Sequence, residues 1–358
     1  MITANAPGKM ILIGEYAVLN GAKALVCAMD CNAFVKVYPS DSNQFKIAAP
    51  SLSIPFIPFS IYLNKQVEFG TSLQDDTLKK LTFFKIVFEE FNKIVQLKGR
   101  QLEPVTIEIN TDEFYSASGA HKYGFGSSAA MTVALIQALL TTVDLQNAYT
   151  KPGFFQMAFH AHRKAQGNLG SGIDIAASVY GNVLTYQLGD EKGIPAGYGR
   201  PVHRWKELYV IPIWAGHSTS TRKMVRSVDA LKISSPKVFD RIMAELIHCS
   251  ENGCSSYVKK DKAVFFDCIH AFNKILTNLG SESNTPIVSE AHQELIHLIS
   301  GVDAVYKPSG AGGGDIGVAF CDSVDAVENV RRKLNSSQFR ILDFNIANVG
   351  MSVSKNNG

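Results

Sequence analysis

The stretch HKYGFGSSAAMTV at residues 121–133 most constrains the fold, because it places glycines and serines directly before an apolar, helix-like run. Glycines let the backbone approach a ligand closely and adopt dihedrals that other residues avoid. A helix that begins at about Ser127 directs unpaired N–H groups and a partial positive charge at the loop. The stretch therefore predicts an anion site. It differs from a P-loop, in which a lysine follows the last glycine, because serines follow Gly126 here. A turn that ends in an N-cap serine explains the same residues.

The rest of the chain alternates strand and helix patterns. Strands are predicted at MILIG, ALVCAMD, AFVKVYP, VTIEIN and ELYVIPIWAG. Helices are predicted over residues 76–97, 129–143 and 156–166, and as two or three helices within 236–280. The C-terminal part has the pattern strand, SGAGGGD loop, strand, helix, strand, which indicates a small sheet packed against helices. The glycines and prolines of GDEKGIPAGYGRP favour a domain boundary near 190–205.

The composition excludes several classes of protein. The 35 basic and 32 acidic residues give a net charge of +3, which is too balanced for binding along a nucleic-acid groove. The 46% of hydrophobic residues can fill a sizeable core. None of the six cysteines forms a C-x-x-C pair, so reduced thiols are expected. Without a signal peptide or an apolar run of membrane-spanning length, a soluble, cytoplasmic protein is expected; the sequence does not indicate an oligomeric state.

Three further segments are candidates for chemistry. In APGKMILIGEYAVLNG, Pro7-Gly8 predicts a turn and Lys9 begins the following strand, although a lone lysine is usually solvated. In GNLGSGIDIAAS, Asp174 could orient or deprotonate a hydroxyl, or simply cap a helix. The segment SGAGGGDIGVAF, residues 309–320, has more glycines than a tight hairpin needs. Two interpretations are open: a flexible loop, or a backbone wall that contacts a ligand without side chains.

Taken together and in this order, APGKMILIGEYAVL, GFGSSAA, GSGIDIAAS and KPSGAGGGDIGVAF resemble the signature motifs of the GHMP small-molecule kinases. The resemblance extends from about residue 4 to residue 350. It implies an α+β, two-domain GHMP kinase fold. Residues 1–195 would form a ribosomal S5-like N-terminal α/β domain that binds ATP. Residues 196–358 would form a ferredoxin-like C-terminal α+β domain that closes over the substrate.

Within the family, the chain is most similar to the phosphomevalonate kinase branch. The similarity lies in Tyr16 of IGEYAVL, in KYGFGSSAA without a leading proline, in AHRKAQGNLGSGIDIAASVYG and in WAGHSTSTRKMV. It implies ATP- and Mg²⁺-dependent phosphoryl transfer to the phosphate of 5-phosphomevalonate, giving 5-diphosphomevalonate and ADP, in the mevalonate route to isoprenoid precursors. A mevalonate kinase with an alcohol acceptor, a decarboxylase of the same superfamily and a non-catalytic sensor with the kinase fold are alternatives.

The resemblance also implies roles for individual residues. Lys9 would reach the transferring phosphoryl group, Asp174 would face the acceptor oxygen as a base or an orienting group, and Ser128 would bind Mg²⁺. Gln166 lies near the position where mevalonate kinases carry a Mg²⁺-binding glutamate. The implied ATP-binding residues are Lys122, Gly124, Gly126, Ser127, Ser128 and Ala129. The implied substrate-binding residues are Tyr16, Ser171, Gly172, Ser220, Arg222, Lys223, Ser309, Gly310 and Ala311.

A phosphate acceptor has a consequence for charge. The acceptor is already ionised and nucleophilic near neutral pH, so repulsion between two anions is the greater difficulty. More cations are therefore expected near the acceptor than in a kinase that acts on an alcohol. The candidates are Lys122, Arg222, Lys223 and Lys307, although the Arg-Lys pair also suits a solvated helix start.

Overall fold

The computed structural model describes residues 1–62, 66–70, 73–119, 121–189, 197–217 and 221–356. Its strands are β1 (Ile2–Ile13), β2 (Lys23–Pro39), β3 (Phe45–Ala49), β4 (Ile54–Ile61), β5 (Val67–Phe69), β6 (Val105–Asn110), β7 (Val183–Gln187), β8 (Tyr198–Val202), β9 (Tyr209–Trp214), β10 (Ala304–Ser309), β11 (Ile316–Cys321), β12 (Arg340–Ile341) and β13 (Ser352–Lys355). Its helices are α1 (Asp75–Leu97), α2 (Ser127–Thr142), α3 (Lys151–Ala165), α4 (Ile173–Tyr180), α5 (Thr221–Ser234), α6 (Pro236–Lys259), α7 (Lys262–Glu282), α8 (Glu290–Ile299) and α9 (Val324–Asn335).

The larger sheet holds the N-terminal strand β1 between β13 and β2. Its order is β13-β1-β2-β6-β3-β4-β5, and β7 pairs with both β2 and β8. The central β1–β2 pair is antiparallel from Ile2↔Val37 to Ile13↔Leu25. Helix α2 packs against both strands and buries nearly its whole surface, as its run of alanines and leucines predicts. The start of α2 is therefore held rigidly beside β1.

The smaller sheet has the order β10-β11-β9-β12. Helices α7 and α8 pack against β10. A separate hydrophobic cluster, which includes Ile213, Leu295, Ala319 and Val330, joins this sheet to α8 and α9. The hairpin of β10 and β11 has an antiparallel register from Ala304↔Cys321 to Ser309↔Ile316, and its connecting loop is the glycine-rich segment predicted from the sequence.

Two predictions about the N-terminal strands were wrong. Pro7-Gly8 does not form a turn: β1 continues through it, and a register shift between the two residues absorbs the proline as a β-bulge. The strands predicted at ALVCAMD and AFVKVYP are one continuous strand, β2. Their apolar residues are buried on successive positions rather than alternate ones at the start of β2, because α2 and α6 both pack against that strand.

The predicted domain boundary at residues 195/196 falls within 190–196, which lie outside the described residues. The division of the chain at that point stays a prediction. Strands β8 and β13 follow that point in the chain yet belong to the larger sheet, where β13 pairs with β1 from Ile2↔Lys355 to Asn5↔Ser352. Across the described ranges, every helix is too short or too polar to cross a membrane.

Candidate active site

A cavity of about 360 Å³ opens where β1, the starts of α2 and α4, and the loop after β10 meet. Most of the residues predicted to bind ATP or substrate line it. Those residues are Lys9, Tyr16, Lys122, Gly124, Gly126, Ser128, Ser171, Asp174, Gly310 and Ala311. Segments that are up to about 300 residues apart in sequence thus form one site.

Lys9 on β1 is fixed to the loop that precedes α2. Its backbone N–H donates to the carbonyl oxygen of Phe125 at 2.8 Å. Its Nζ donates to the carbonyl oxygen of Gly124 at 3.2 Å. A lysine more than a hundred residues away in sequence therefore supplies the charge that the loop itself lacks after Gly126.

The loop depends on glycine at two positions. Gly126 has a φ of 80° as the residue that precedes α2, and a Cβ there would lie 3.2 Å from Lys9 Cγ. Gly124 has a φ of 83°, and a Cβ there would lie 2.7 Å from Asp315 Cβ. No side chain among the described residues caps the start of α2. The first N–H groups of α2 can therefore bind an anion in the cavity.

Asp174 lies in the first turn of α4, two residues after Gly172, which is the N-cap in left-handed conformation. Asp174 is therefore not the N-cap. Its Oδ1 accepts a hydrogen bond from the N–H of Ile175 at 3.0 Å, and the start of the helix favours its negative charge. The carboxylate borders the same space as Lys9, since a Cβ on Gly126 would lie within 3.7 Å of Asp174 Cβ.

Ser128 belongs to a small polar cluster with two residues of α3 and the turn after it. Ser128 Oγ lies 3.2 Å from His162 Nε2, and Gln166 Nε2 donates to Ser128 Oγ at 3.3 Å. Burial lowers the pKa of His162, while the charge of Asp174 raises it in part. The imidazole is thus held as a neutral hydrogen-bonding partner of the serine at neutral pH.

The glycine-rich loop after β10 closes the cavity from the other side. The Tyr16 hydroxyl donates to the carbonyl oxygen of Ala311 at 2.6 Å. A Cβ on Gly310 would lie 3.8 Å from Lys9 Nζ. Burial raises the pKa of Tyr16 well above its ordinary value, so the phenol remains a hydrogen-bond donor. The loop therefore forms a backbone wall of the cavity beside Lys9, which is one of the two alternatives that the sequence left open.

Lys122 lines the cavity from the strand-like segment before Gly124. Desolvation of its ammonium group lowers the pKa of Lys122; the carboxylate of Asp315 raises it, and the charge of Lys9 lowers it further. The charge of Lys9 thus disfavours the charged form of Lys122, and an anion bound between the two lysines would offset this repulsion.

Several predicted residues lie elsewhere. Ser127 and Ala129 are buried inside α2, Gly172 packs against the ring of Phe159, and the Ser309 hydroxyl is bonded to Ile11. Arg222 and Lys223 are exposed on α5; Arg222 donates to the carbonyl oxygen of Ala165, and its neighbour Thr221 lines the cavity. Ser220 lies outside the described residues.

Lys307 is not an acceptor cation, contrary to the prediction. Its side chain is fully buried, and its Nζ donates to Glu15 Oε1 and to the carbonyl oxygen of Pro308. A cation that is enclosed and paired in this way cannot reach a ligand.

Sequence reasoning missed His162, Glu15 and Asp315 as lining residues, and it named Gln166 only as the counterpart of a Mg²⁺-binding glutamate. His162 and Gln166 are four residues apart, the spacing that places two side chains on one helix face. Asp315 ends the quoted SGAGGGD motif. Nothing in the sequence predicted which of these side chains would face the cavity, since that depends on how α3 and β10 pack.

Residues 82–182 match the family model of the GHMP kinases N terminal domain. The fold of the whole chain also matches solved structures. It superimposes with a TM-score of 0.86 on the Lin0012 protein of Listeria innocua, at 24% identity and 99% coverage of both chains. Residues 82–182 are therefore similar to the N-terminal domain of the GHMP kinases, and the α+β fold of the chain is shared with solved structures, as the motifs predicted.

Several relatives are named as kinases of mevalonate or phosphomevalonate. The mevalonate kinase of Thermococcus sibiricus is 26% identical over 315 residues, 87% of each chain. The phosphomevalonate kinase of a Streptomyces species is 24% identical over 343 residues, 90% of each. Phosphomevalonate kinase from Streptococcus pneumoniae, solved with phosphomevalonate and AMPPNP, has a TM-score of 0.79 at 18% identity, covering 97% of this chain and 100% of that one. The mevalonate kinase of L. major, solved in complex with R-mevalonate, has a TM-score of 0.67 at 18% identity. The superposition covers 97% of this chain and 96% of that one.

Proposed function

We propose that the protein transfers the γ-phosphoryl group of ATP to the phosphate of 5-phosphomevalonate, giving 5-diphosphomevalonate and ADP. The observation that carries this proposal is the cavity in which Lys9, Asp174 and the start of α2 come together. A lysine, a carboxylate and a helix N-terminus are the groups that phosphoryl transfer requires. The similarity in sequence and fold to kinases of mevalonate and phosphomevalonate supports the choice of substrate class.

The loop of Gly124 and Gly126 would hold the β- and γ-phosphates of ATP. Its glycines allow a close backbone approach, and the unpaired N–H groups of α2 favour negative charge. Lys9 stands beside this loop with its Nζ between Gly124 and the Gly310 backbone. It would neutralise the charge that develops on the transferring phosphoryl oxygens.

The cavity suits a Mg²⁺ ion that is bound partly through the nucleotide. Mg²⁺ takes oxygen ligands and often uses only one or two protein groups together with phosphates and water. The Ser128 hydroxyl and the Asp174 carboxylate both line the cavity, whereas Gln166 directs its amide nitrogen at Ser128 Oγ and is a poor ligand. When bound there, the ion would neutralise part of the phosphate charge. Across the described ranges, no group of three or more His, Cys, Asp or Glu forms a metal site made of protein alone.

Asp174 would orient the acceptor rather than deprotonate it. An acceptor phosphate is ionised near neutral pH, so a strong base is not needed. The carboxylate is fixed by the N–H of Ile175 and by the start of α4. From that position it can hold the remaining acceptor proton or the metal ion and set the direction of attack.

The positive charges of the site favour a phosphate acceptor. Lys9 and Lys122 both line the cavity, and Arg222 lies next to the lining residue Thr221. Two anions that approach each other repel by several kcal/mol at about 4 Å in a partly buried site. Lys9 and Lys122 in the cavity would offset part of that repulsion. Lys223 and Ser220, which precede or begin α5, remain predicted substrate ligands.

Mevalonate is the alternative acceptor. The relative from Thermococcus sibiricus is a mevalonate kinase, and its identity of 26% is similar to that of the phosphomevalonate kinase. Both solved enzymes share the fold of this chain, with TM-scores of 0.79 and 0.67, so the choice of acceptor rests on the charges of the site rather than on the fold. A non-catalytic sensor is disfavoured because Lys9 and Asp174 both line the cavity.

A coupled assay of ADP release tests the proposal. The purified protein is supplied with Mg·ATP and either mevalonate or 5-phosphomevalonate. Turnover that is at least about tenfold faster with 5-phosphomevalonate is expected, since that acceptor uses the additional cations. Turnover of mevalonate alone would replace the proposed acceptor. Calorimetric binding of ATP and acceptor without ADP formation would instead indicate a sensor.

A further inference from the structure

The structure contains one ion pair whose partners are both almost fully buried among the described residues. Lys307 on β10 is 0% exposed and Glu15, just after β1, is 2% exposed. Lys307 Nζ donates to Glu15 Oε1 at 2.5 Å, and the ring of Phe272 lies below the ammonium at 5.8 Å. Glu15 Oε1 also accepts from the N–H of Gly310 at 3.3 Å. The pair thus links the N-terminal strand to the start of the glycine-rich loop.

This pair is the charged member of a row of contacts between two short segments, residues 11–16 and 307–311. On one side of the pair, Ser309 Oγ accepts from the N–H of Ile11 and donates to its carbonyl oxygen. On the other side, the Tyr16 hydroxyl donates to the carbonyl oxygen of Ala311. The row joins residues that are nearly 300 positions apart.

The row determines where the loop lies relative to the proposed catalytic lysine. Lys9 is on the same strand as Ile11, and a Cβ on Gly310 would lie 3.8 Å from Lys9 Nζ. Gly310 and Ala311 both line the cavity. A shift of the loop would therefore change the space beside the Lys9 ammonium directly.

Stability alone does not account for a pair of this kind. Removing two charges from water costs several kcal/mol for each ion, and a buried pair that is replaced by neutral groups of similar size is often no less stable. Burial lowers the pKa of Lys307, while Glu15 raises it, so the two charges depend on each other. Glu15 Oε2 is also buried and has no hydrogen-bond partner among the described residues.

We propose that Glu15 and Lys307 are a positioning pair. The pair fixes the glycine-rich loop against β1, so that the loop backbone beside Lys9 is correctly placed for phosphoryl transfer. The inference rests on the proposed function. Glu15 and Lys307 act through Lys9 and the loop backbone and are not themselves catalytic residues.

The decisive variant is the neutral double substitution Glu15→Gln with Lys307→Met, compared with each single substitution. The double variant leaves no unpaired buried charge, so its melting temperature should stay within about 3 °C of the wild type. Its kcat should nevertheless fall about 10- to 100-fold, the scale for misplacing a reacting group. The KM values for ATP and for the acceptor should change less than about threefold, because Lys307 is fully buried and Glu15 Oε1 is already bonded to Lys307 and to the N–H of Gly310.

Hydrogen exchange gives a second readout that needs no turnover. Amides of the peptide 309–316 should exchange at least about tenfold faster in the double variant, because the loop loses the ion pair that holds it next to the end of β1. Leu334→Ala on α9 is the matched control for lost stability: it removes buried apolar volume from the cluster behind the smaller sheet. It should lower the melting temperature but keep both kcat and the exchange of 309–316.

The outcomes separate the two proposals. A wild-type protein that forms no ADP with either acceptor would overturn the proposed function, and the exchange of 309–316 would then decide the positioning role alone. A double variant with wild-type kcat would overturn the positioning role, and so would unchanged exchange of 309–316. If Lys307→Met alone does not fold, the double variant still decides between these results.

Discussion

At the scale of single residues, the site depends on charges whose positions are fixed by the backbone of distant segments. The Lys9 ammonium is bonded to the carbonyl of Gly124, and Asp174 is held by the start of its own helix. Both side chains are pre-oriented towards one cavity before any ligand binds. Such preorganisation lowers the cost of stabilising a transition state, so each charge should matter more for turnover than for stability.

Lys9→Met should reduce kcat by at least about 10²-fold, because no other lysine of the described residues lies against Gly124 and Gly310 at once. The substituted side chain keeps most of the apolar stem, so the melting temperature should change little. Steady-state ADP release with 5-phosphomevalonate measures the effect. Lys36→Met, an exposed lysine on β2, is the control and should keep wild-type kcat; equal kcat values for the two variants would contradict the role of Lys9.

Asp174→Asn should also reduce kcat by at least about 10²-fold, since the amide keeps the shape of the carboxylate but not its charge. The KM for ATP should change less, because the phosphate loop before α2 is untouched. Kinetics at saturating Mg·ATP measure both quantities. Asp229→Asn, on the exposed side of α5, is the matched control: it also removes one carboxylate and should keep wild-type kcat. Near-normal turnover of Asp174→Asn would show that Asp174 is not needed for the reaction.

At the scale of elements, α8 holds the base of the glycine-rich loop through one histidine. His292 is completely buried; its Nδ1 lies 2.8 Å from the Tyr306 hydroxyl and its Nε2 lies 3.0 Å from the carbonyl oxygen of Gly314. A neutral imidazole satisfies both contacts, accepting from the phenol and donating to the carbonyl. Protonation would remove the acceptor, so this link between α8 and the hairpin requires the neutral form.

This contact makes the protein acid-sensitive. Burial lowers the pKa of His292 to about 4, whereas an unfolded histidine titrates near 6.5. As the pH falls from 6.5 to 4, the unfolded state binds a proton that the folded state does not. The contribution of His292 to stability is therefore present above pH 6.5 and is lost towards pH 4, by about 3 kcal/mol.

His292→Gln should make the stability less dependent on pH, because the titrating group is gone. Urea unfolding at pH 7, 5.5 and 4 should show that the variant loses about 3 kcal/mol less than the wild type over this range. The variant will be less stable than the wild type at pH 7, where one of the two contacts is lost. His270→Gln on the exposed face of α7 should retain the wild-type dependence; parallel curves for His292→Gln and wild type would contradict the prediction.

At the scale of the whole molecule, the two ends of the chain meet in the larger sheet. Strand β13 pairs with β1, and the segment before it passes the end of α4, the helix that carries Asp174 in its first turn. A Cβ on Gly350 would lie 2.2 Å from the carbonyl oxygen of Val179 and 2.8 Å from the amide nitrogen of Gly181. The C-terminal segment therefore fixes α4 by direct backbone contact.

Gly350→Ala should lower the free energy of unfolding by at least about 2 kcal/mol, because one methyl group must push two backbone segments apart. Denaturant unfolding measures this, and kcat should fall as well if the displacement reaches Asp174. Gly70→Ala is the matched substitution, since a Cβ there would meet Pro58 at an ordinary 3.4 Å, and its effect should be small. Equal stability of the two variants would show that the C-terminal segment adjusts freely.

Local pattern predicted the long helices and the motifs well. Helix α1 was expected over 76–97 and is observed over Asp75–Leu97, because its apolar residues recur at helical spacing over six turns. Strand β6 matches the predicted VTIEIN for the same kind of reason. Helix α3 begins at Lys151, five residues before its predicted start, since the side chain of Thr150 caps it by accepting a hydrogen bond from the N–H of Gly153.

The sequence by itself determined the chemistry that is available: a glycine loop before a helix, a lysine on an N-terminal strand, an aspartate at a helix start and a second glycine loop. These features depend on local backbone preference and on order along the chain, which a sequence displays directly. Only the tertiary structure decided which charges reach the cavity. Lys122 lines it, whereas Lys307 is buried against Glu15, because the direction of a side chain follows from packing between segments hundreds of residues apart.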